Sequence, residues 1–224
     1  MESLTSNLSI QISDRFFVKN PDSSEIGQRI IEWSIILIEE IGFEAFTFKK
    51  LAIQIGTTEA TIYRYFESKH RLLLYLTCWY WSWMEYRLLF AITNVESAEE
   101  RLNRSIGLLT EVIEEDSNFS YVNEVKLNNI VIAEASKSYL NKDVDKENKE
   151  GAYLNYKKLV QRISEIILEI NPNYKYPHML VSTVIEGAHL QRYFAEHLPG
   201  LTDTNSKEDS VAKFFKQMVF KSIE

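Results

Sequence analysis

Residues 42–76 read GFEAFTFKKLAIQIGTTEATIYRYFESKHRLLLYL, and this stretch decides the fold. Thr47 stands where a helix cap is expected, and Phe48, Leu51, Ala52 and Ile55 follow at i, i+3, i+4 and i+7, one face of a short helix. Gly56 ends that pattern. Thr58 caps the next helix, with Ile62, Tyr65 and Phe66 inward and Glu59, Ala60, Thr61, Tyr63 and Arg64 on the opposite face. Ser68 caps a fourth, long helix that begins KHRLLLYL. Two short helices around a tight glycine turn, braced by a helix before them, make a helix-turn-helix unit. The face left outward is small or hydrogen-bonding, as entry into a nucleic-acid groove requires.

Towards the N-terminus, Glu25 to Ile41 reads as the bracing helix, with Ile31, Ser34, Ile35, Ile38 and Ile41 on one face and Gly42 at its end. Residues 1–24 read as an arm in which Leu8, Ile10 and Ile12 alternate like a strand before KNPDSS breaks the chain. Ser23 or Ser24 is the expected cap of the bracing helix. Towards the C-terminus, helical segments are expected near 96–115, 122–140, 147–169, 176–197 and 206–222. The run NKDVDKENKE (141–150) reads as a solvated loop or helix start. The expected domains are the arm 1–24, a helix-turn-helix domain 25–73 and a larger helical domain 74–224.

Composition agrees with an all-α chain. Only 7 glycines and 4 prolines interrupt 224 residues, and 45% hydrophobic content suits a globular protein. The single cysteine, Cys78, excludes an internal disulfide framework and fits a reducing cytosol. No leader pattern opens the sequence and no run of about twenty uncharged apolar residues occurs, so a cytoplasmic protein without a membrane helix is expected. The net charge of −7 is unevenly spread. Residues 47–71 hold Lys49, Lys50, Arg64, Lys69 and Arg71 against Glu59 and Glu67, a net of +3 that leaves −10 elsewhere.

Residues 30–76 resemble the DNA-binding domain of the tetracycline-repressor (TetR) family of bacterial transcription regulators. The resemblance rests on Gly42–Phe43, Thr47, Leu51–Ala52, Gly56, Thr58, Thr61–Tyr63, Phe66, Ser68–Lys69 and Leu72. It covers about a fifth of the chain. It implies that Thr47, Thr58, Tyr63, Tyr65 and Lys69 grip phosphates, and that Glu59, Ala60, Thr61 and Arg64 face base edges or nearby backbone. Glu59 departs from the basic or small residue usual there, and suits the helix dipole better than a phosphate. The arm, with only Arg15 and Lys19 as basic residues, is long for the family.

Other candidates were weighed beside this one. Tyr75, Trp79, Trp83, Tyr86 and Phe90 fall on one helical stripe, either ordinary core or the wall of an effector pocket. Glu186 and His189, at i and i+3, suit a hydrogen-bonded pocket better than a metal site, which needs further ligands. His178, His189 and His197 lack metal-ligand spacing. Asp143, Asp145 and Glu147 start like a calcium loop, but Asn148 and Leu154 replace its glycine and closing glutamate. No phosphate loop, nucleophile elbow or zinc-protease motif occurs.

The expectation is therefore a homodimeric DNA-binding repressor, not an enzyme, without metal or cofactor. It binds a palindromic double-stranded DNA operator, joins through its last two helices, where Gly187 and Ala188 allow close approach, and is released by a small-molecule effector. Tyr75, Trp79, Trp83, Tyr86, Glu186 and His189 are the expected effector-pocket residues. A helical scaffold protein without specific DNA binding and a helical enzyme remain the alternatives.

Overall fold

Four hydroxyls set the start of the first four helices, each accepting a backbone N–H that the helix leaves unpaired. Ser24 Oγ accepts from Gly27 at 3.3 Å, Thr47 Oγ1 from Lys50 at 3.2 Å, Thr58 Oγ1 from Thr61 at 3.2 Å and Ser68 Oγ from Arg71 at 3.2 Å. The structure, a computed structural model, describes residues 10, 12–115, 119, 121–205 and 208–224. Short 3-10 turns at Asp14–Phe16 and Pro21–Ser23 precede α1 (Glu25–Ala45), α2 (Phe48–Gln54), α3 (Glu59–Tyr63), α4 (Lys69–Ile92), α5 (Ala98–Thr110), α6 (Glu124–Ala133), α7 (Ala135–Ser138), α8 (Val144–Glu150), α9 (Leu154–Ile170) and α10 (Pro177–His197). A 3-10 turn at Pro199–Leu201 and α11 (Val211–Ile223) follow. The fold class is all-α; among the described residues the β-pairing is a single isolated bridge between Asn205 and Glu208. Leu8, part of the alternating segment, lies outside the described residues.

The chain forms two compact units, Met1–Trp83 with Ile113–Leu154, and Met84–Val112 with Asn155–Glu224. Compactness is a different criterion from the functional division at residues 24 and 73, which stands as our proposal.

In the first unit the helix-turn-helix is built as its glycines require. Gly42 (φ 76°) lets the chain leave the regular part of α1, and Gly56 (φ 65°) makes the turn between α2 and α3. Ile30, Ile31, Ile35, Leu51, Ile62 and Phe66 close the core beneath them. The described part of the arm, from residue 12 on, folds back onto this unit. Phe16 is buried, Val18 N–H donates to the Tyr65 carbonyl at 2.7 Å, and Gly27 lies so close to Pro21 that a Cβ there would meet its carbonyl oxygen at 2.2 Å.

α4 departs from the one-sided stripe expected of it. From Leu72 to Trp83 every residue except Ser82 is buried, Tyr80 and Trp81 included, while Phe90 is 76% exposed. A helix apolar on all sides is a central helix, not the wall of one cavity. The single helix expected over 122–140 is instead α6 and α7, broken at Glu134, whose carboxylate turns inward to accept Phe43 N–H at 3.2 Å. Of the two readings of the charged run 141–150, the helix start describes it and the solvated loop does not. The run contains all of α8, ended by Gly151 in the left-handed region, and its Glu147 is buried.

The second unit joins α5, α9, α10 and α11. Leu159, Ile163, Ile166 and Ile167 line one face of α9, and Val211, Phe215, Val219 and Ile223 one face of α11. Gly187 of α10 receives the Phe215 ring; a Cβ there would stand 2.7 Å from it.

Candidate nucleic-acid interface

The residues singled out on α2 and α3 divide between two sides. Thr47, Thr58, Glu59, Ala60, Tyr63 and Arg64 are exposed, and Thr61 is half-buried. Thr58 and Thr61 share a hydroxyl contact of 3.0 Å, which fixes both at the start of α3. The Tyr63 ring meets Phe48 edge to face at 5.0 Å, so it is braced while 51% of the residue stays open to solvent. These side chains are held by a stiff scaffold, as precise placement against a duplex requires.

Tyr65 and Lys69 are corrections to the phosphate-gripping set. Tyr65 is buried; its hydroxyl is 2.7 Å from Ser24 Oγ, and the Lys19 ammonium lies 5.1 Å from its ring. Lys69 Nζ donates to three backbone carbonyls, Phe43 at 2.9 Å, Glu44 at 3.1 Å and Phe46 at 3.3 Å. All three of its donors are spent on the turn after Gly42. Apolar spacing had already placed Tyr65 inward; the Lys69 clamp joins elements far apart in sequence and left no local signal.

Four other cations belong to this region. Lys49 is exposed beside Thr47 and, among the described residues, its side chain and that of Arg64 make no ion pair or hydrogen bond, whereas Lys50 Nζ donates to the Ala45 carbonyl at 2.8 Å. Lys49 had counted only towards local charge. Arg29 reaches across from α1 to the Ile55 carbonyl at 2.7 Å and caps the end of α2. Lys137 pairs with Glu134 at 2.6 Å and Glu44 at 3.3 Å, tying α7 to the last turn of α1.

The expected effector residues fall in both units, Tyr75, Trp79 and Trp83 in the first and Tyr86, Glu186 and His189 in the second. Trp79 and Trp83 are buried and stacked, with centroids 6.4 Å apart. Tyr75 borders a cavity of about 360 Å³ lined by the arm. Tyr86 is half-buried. Glu186 Oε1 accepts the Tyr156 hydroxyl at 2.9 Å. Burial holds the His189 imidazole neutral, its pKa pushed down to about 4 against the opposing pull of Glu186. Cys78 is buried and its thiol is pushed up to about 12 by burial, which makes it inert. Among the described residues there is no group of three or more His, Cys, Asp or Glu placed to hold a metal ion, and no helix is long and apolar enough to cross a membrane.

An all-helical unit with a braced three-helix head and an open hydroxyl-rich face is a helix-turn-helix protein. The sequence model of the "Bacterial regulatory proteins, tetR family" matches residues 30–76. The match covers the helix-turn-helix head, 47 of 224 residues, and the likeness to this family is that of the segment. No curated protein matches the chain. Among solved structures, a superantigen, PfiT, shares 13% identity at a TM-score of 0.58, covering 91% of this chain and 97% of its own. A candidate transcriptional regulator from Saccharomonospora viridis in complex with choline shares 19% identity at a TM-score of 0.58, covering 89% and 96%. The ketosteroid transcriptional regulator KstR2 of Mycobacterium tuberculosis shares 14% identity at a TM-score of 0.56, covering 96% of each chain. At these identities the likeness is one of fold, and a fold hosts more than one function.

Proposed function

We propose that the chain is a transcriptional repressor that binds a palindromic duplex as a homodimer and is released by a small molecule. The observation that carries the reading is the exposed face of α2 and α3, where Thr47, Lys49, Thr58, Tyr63 and Arg64 present hydroxyls and two unpaired cations from one braced head. Hydroxyls and the start of α3 fix register on phosphates, and the guanidinium of Arg64 has the two-donor fork that reads guanine. Glu59 lies at the start of α3, where it favours the helix dipole.

One head of this size reads too few bases for useful specificity, so a twofold dimer is the economical arrangement. Its interface is assigned to α10 and α11. Met179, Leu190 and Tyr193 of α10 and Phe214 of α11 are exposed apolar residues on one chain, surface that a second copy removes from water. The neighbour holding choline supports a small-molecule effector. Tyr86, Glu186 and His189 of the second unit remain its proposed surroundings; in the first unit, Trp79 and Trp83 are core and Tyr75 faces the arm. A ligand shifts DNA affinity only by binding two conformers unequally.

The test is selection of random duplex DNA on the purified protein, then salt titration of the winner. A palindromic site with a modest salt slope, weakened about tenfold or more by Tyr63→Ala and by Arg64→Ala, is expected. No enrichment at low salt, with or without candidate ligands, would turn the reading towards a helical scaffold protein.

A further inference from the structure

Asp22 is a carboxylate without a countercharge. Its Oδ1 accepts the Tyr121 hydroxyl at 2.8 Å and lies 3.5 Å from the Tyr75 hydroxyl. Among the described residues no lysine, arginine or histidine stands within 4.0 Å of it. Two phenols are neutral donors, so they hold the negative charge in place without cancelling it. Burial and Asp22 itself push both phenols well above their ordinary value, so they remain donors at any working pH.

The same carboxylate borders the cavity of about 360 Å³, together with Ile10, Ile12, Phe17, Asn20 and Tyr75. The Phe17 and Tyr75 rings meet edge to face at 6.1 Å. The volume is at the small end of ligand cavities. An anion is repelled by Asp22. A bare divalent ion finds one carboxylate where it needs several oxygen ligands. A small cation carrying alkyl groups satisfies both features at once, with its charge against the carboxylate and its methyls against rings and isoleucines.

We propose that this arm cavity is a binding site for a small organic ammonium ion, held by Asp22 and walled by Phe17, Tyr75, Ile10 and Ile12. The site goes beyond the effector position assigned above and shares none of its residues.

The test is calorimetric titration of the full chain with tetramethylammonium chloride, against sodium chloride and against neopentyl alcohol, the neutral molecule of similar shape. Saturable binding of tetramethylammonium alone is expected, weakened by about tenfold or more in Asp22→Asn. Because Asp22→Asn also alters the Tyr121 bond, Ile12→Trp serves as an independent variant that fills the cavity and leaves the carboxylate; it is expected to abolish binding. Absence of saturation beyond sodium, equal binding of neopentyl alcohol, or wild-type affinity in either folded variant would overturn the assignment. DNA selection is unaffected by any of these results, so the two readings fail separately.

Discussion

The Lys69 ammonium stands 2.9 Å from the Phe43 carbonyl oxygen, with two further carbonyls, of Glu44 and Phe46, within 3.3 Å. It also lies 4.7 Å from the centre of the Phe43 ring. A lysine at the start of one helix therefore closes the turn that follows another. Lys69→Met is expected to cost about 1.5–3 kcal/mol of stability, the range for hydrogen bonds to a charged group. The salt slope of DNA binding should stay unchanged, because this ammonium is not spent on a phosphate. Urea unfolding and a salt titration of DNA affinity check the two halves; a slope reduced by about one with unaltered stability would restore Lys69 to the interface.

The turn between α2 and α3 makes a second demand. Gly56 has φ 65°, and a Cβ placed on it would touch nothing within 4 Å. The cost of Gly56→Ala is thus one of backbone conformation alone, about 1–2 kcal/mol. Gly56→Asn should cost less, since asparagine tolerates the left-handed region. Thermal unfolding of the two variants should rank them in that order.

Gly187 meets a different constraint. Alanine there gains helix propensity of about 1 kcal/mol but drives a methyl to 2.7 Å from the Phe215 ring. Overpacking of this kind costs about 1–3 kcal/mol, so Gly187→Ala should be destabilising on balance. Shortening the partner removes the clash: Gly187→Ala with Phe215→Leu should be more stable than the sum of the two single changes. A double-mutant cycle in urea that shows simple additivity would disprove the contact.

His189 predicts a pH dependence. Its pKa in the folded chain is about 4, below the ordinary 6.5, because burial disfavours the imidazolium. Between these values the unfolded chain binds the proton and the folded chain does not, so stability rises with pH. The contribution is complete above about 6.5 and is lost as pH falls towards 4, by up to about 3 kcal/mol. His189→Gln should flatten this part of the profile, read as urea midpoints near neutrality and near pH 5.

The sequence made the head legible because its signals are local. Ser24, Thr47, Thr58 and Ser68 each bond an N–H three places on, and Gly42 and Gly56 take the positive φ that their positions imply. What stayed hidden depends on partners far along the chain. Lys69 is spent on a turn 23–26 residues earlier, and Glu134 is held by Phe43 N–H across 91 positions. The resemblance set Lys69 against a phosphate and nothing local marked Glu134, because those partners lie far along the chain. The aromatic stripe of α4 left core and ligand wall open for another reason: helical spacing describes one face, whereas from Leu72 to Trp83 every residue except Ser82 is buried.

α8 carries a practical lesson about handling this molecule. By composition, residues 141–150 are the first stretch one would trim to obtain a tidier sample. Yet Glu147 lies 2.5 Å from His70 and accepts the Tyr153 hydroxyl at 2.8 Å, while Glu150 holds Arg71 at 2.6 Å. Just beyond the helix, the Ala152 carbonyl accepts the Cys78 thiol at 3.1 Å. Excising this segment would strip the cover from a sulfur that is otherwise shielded from air. A preparation indifferent to oxidant would become one that cross-links on the shelf.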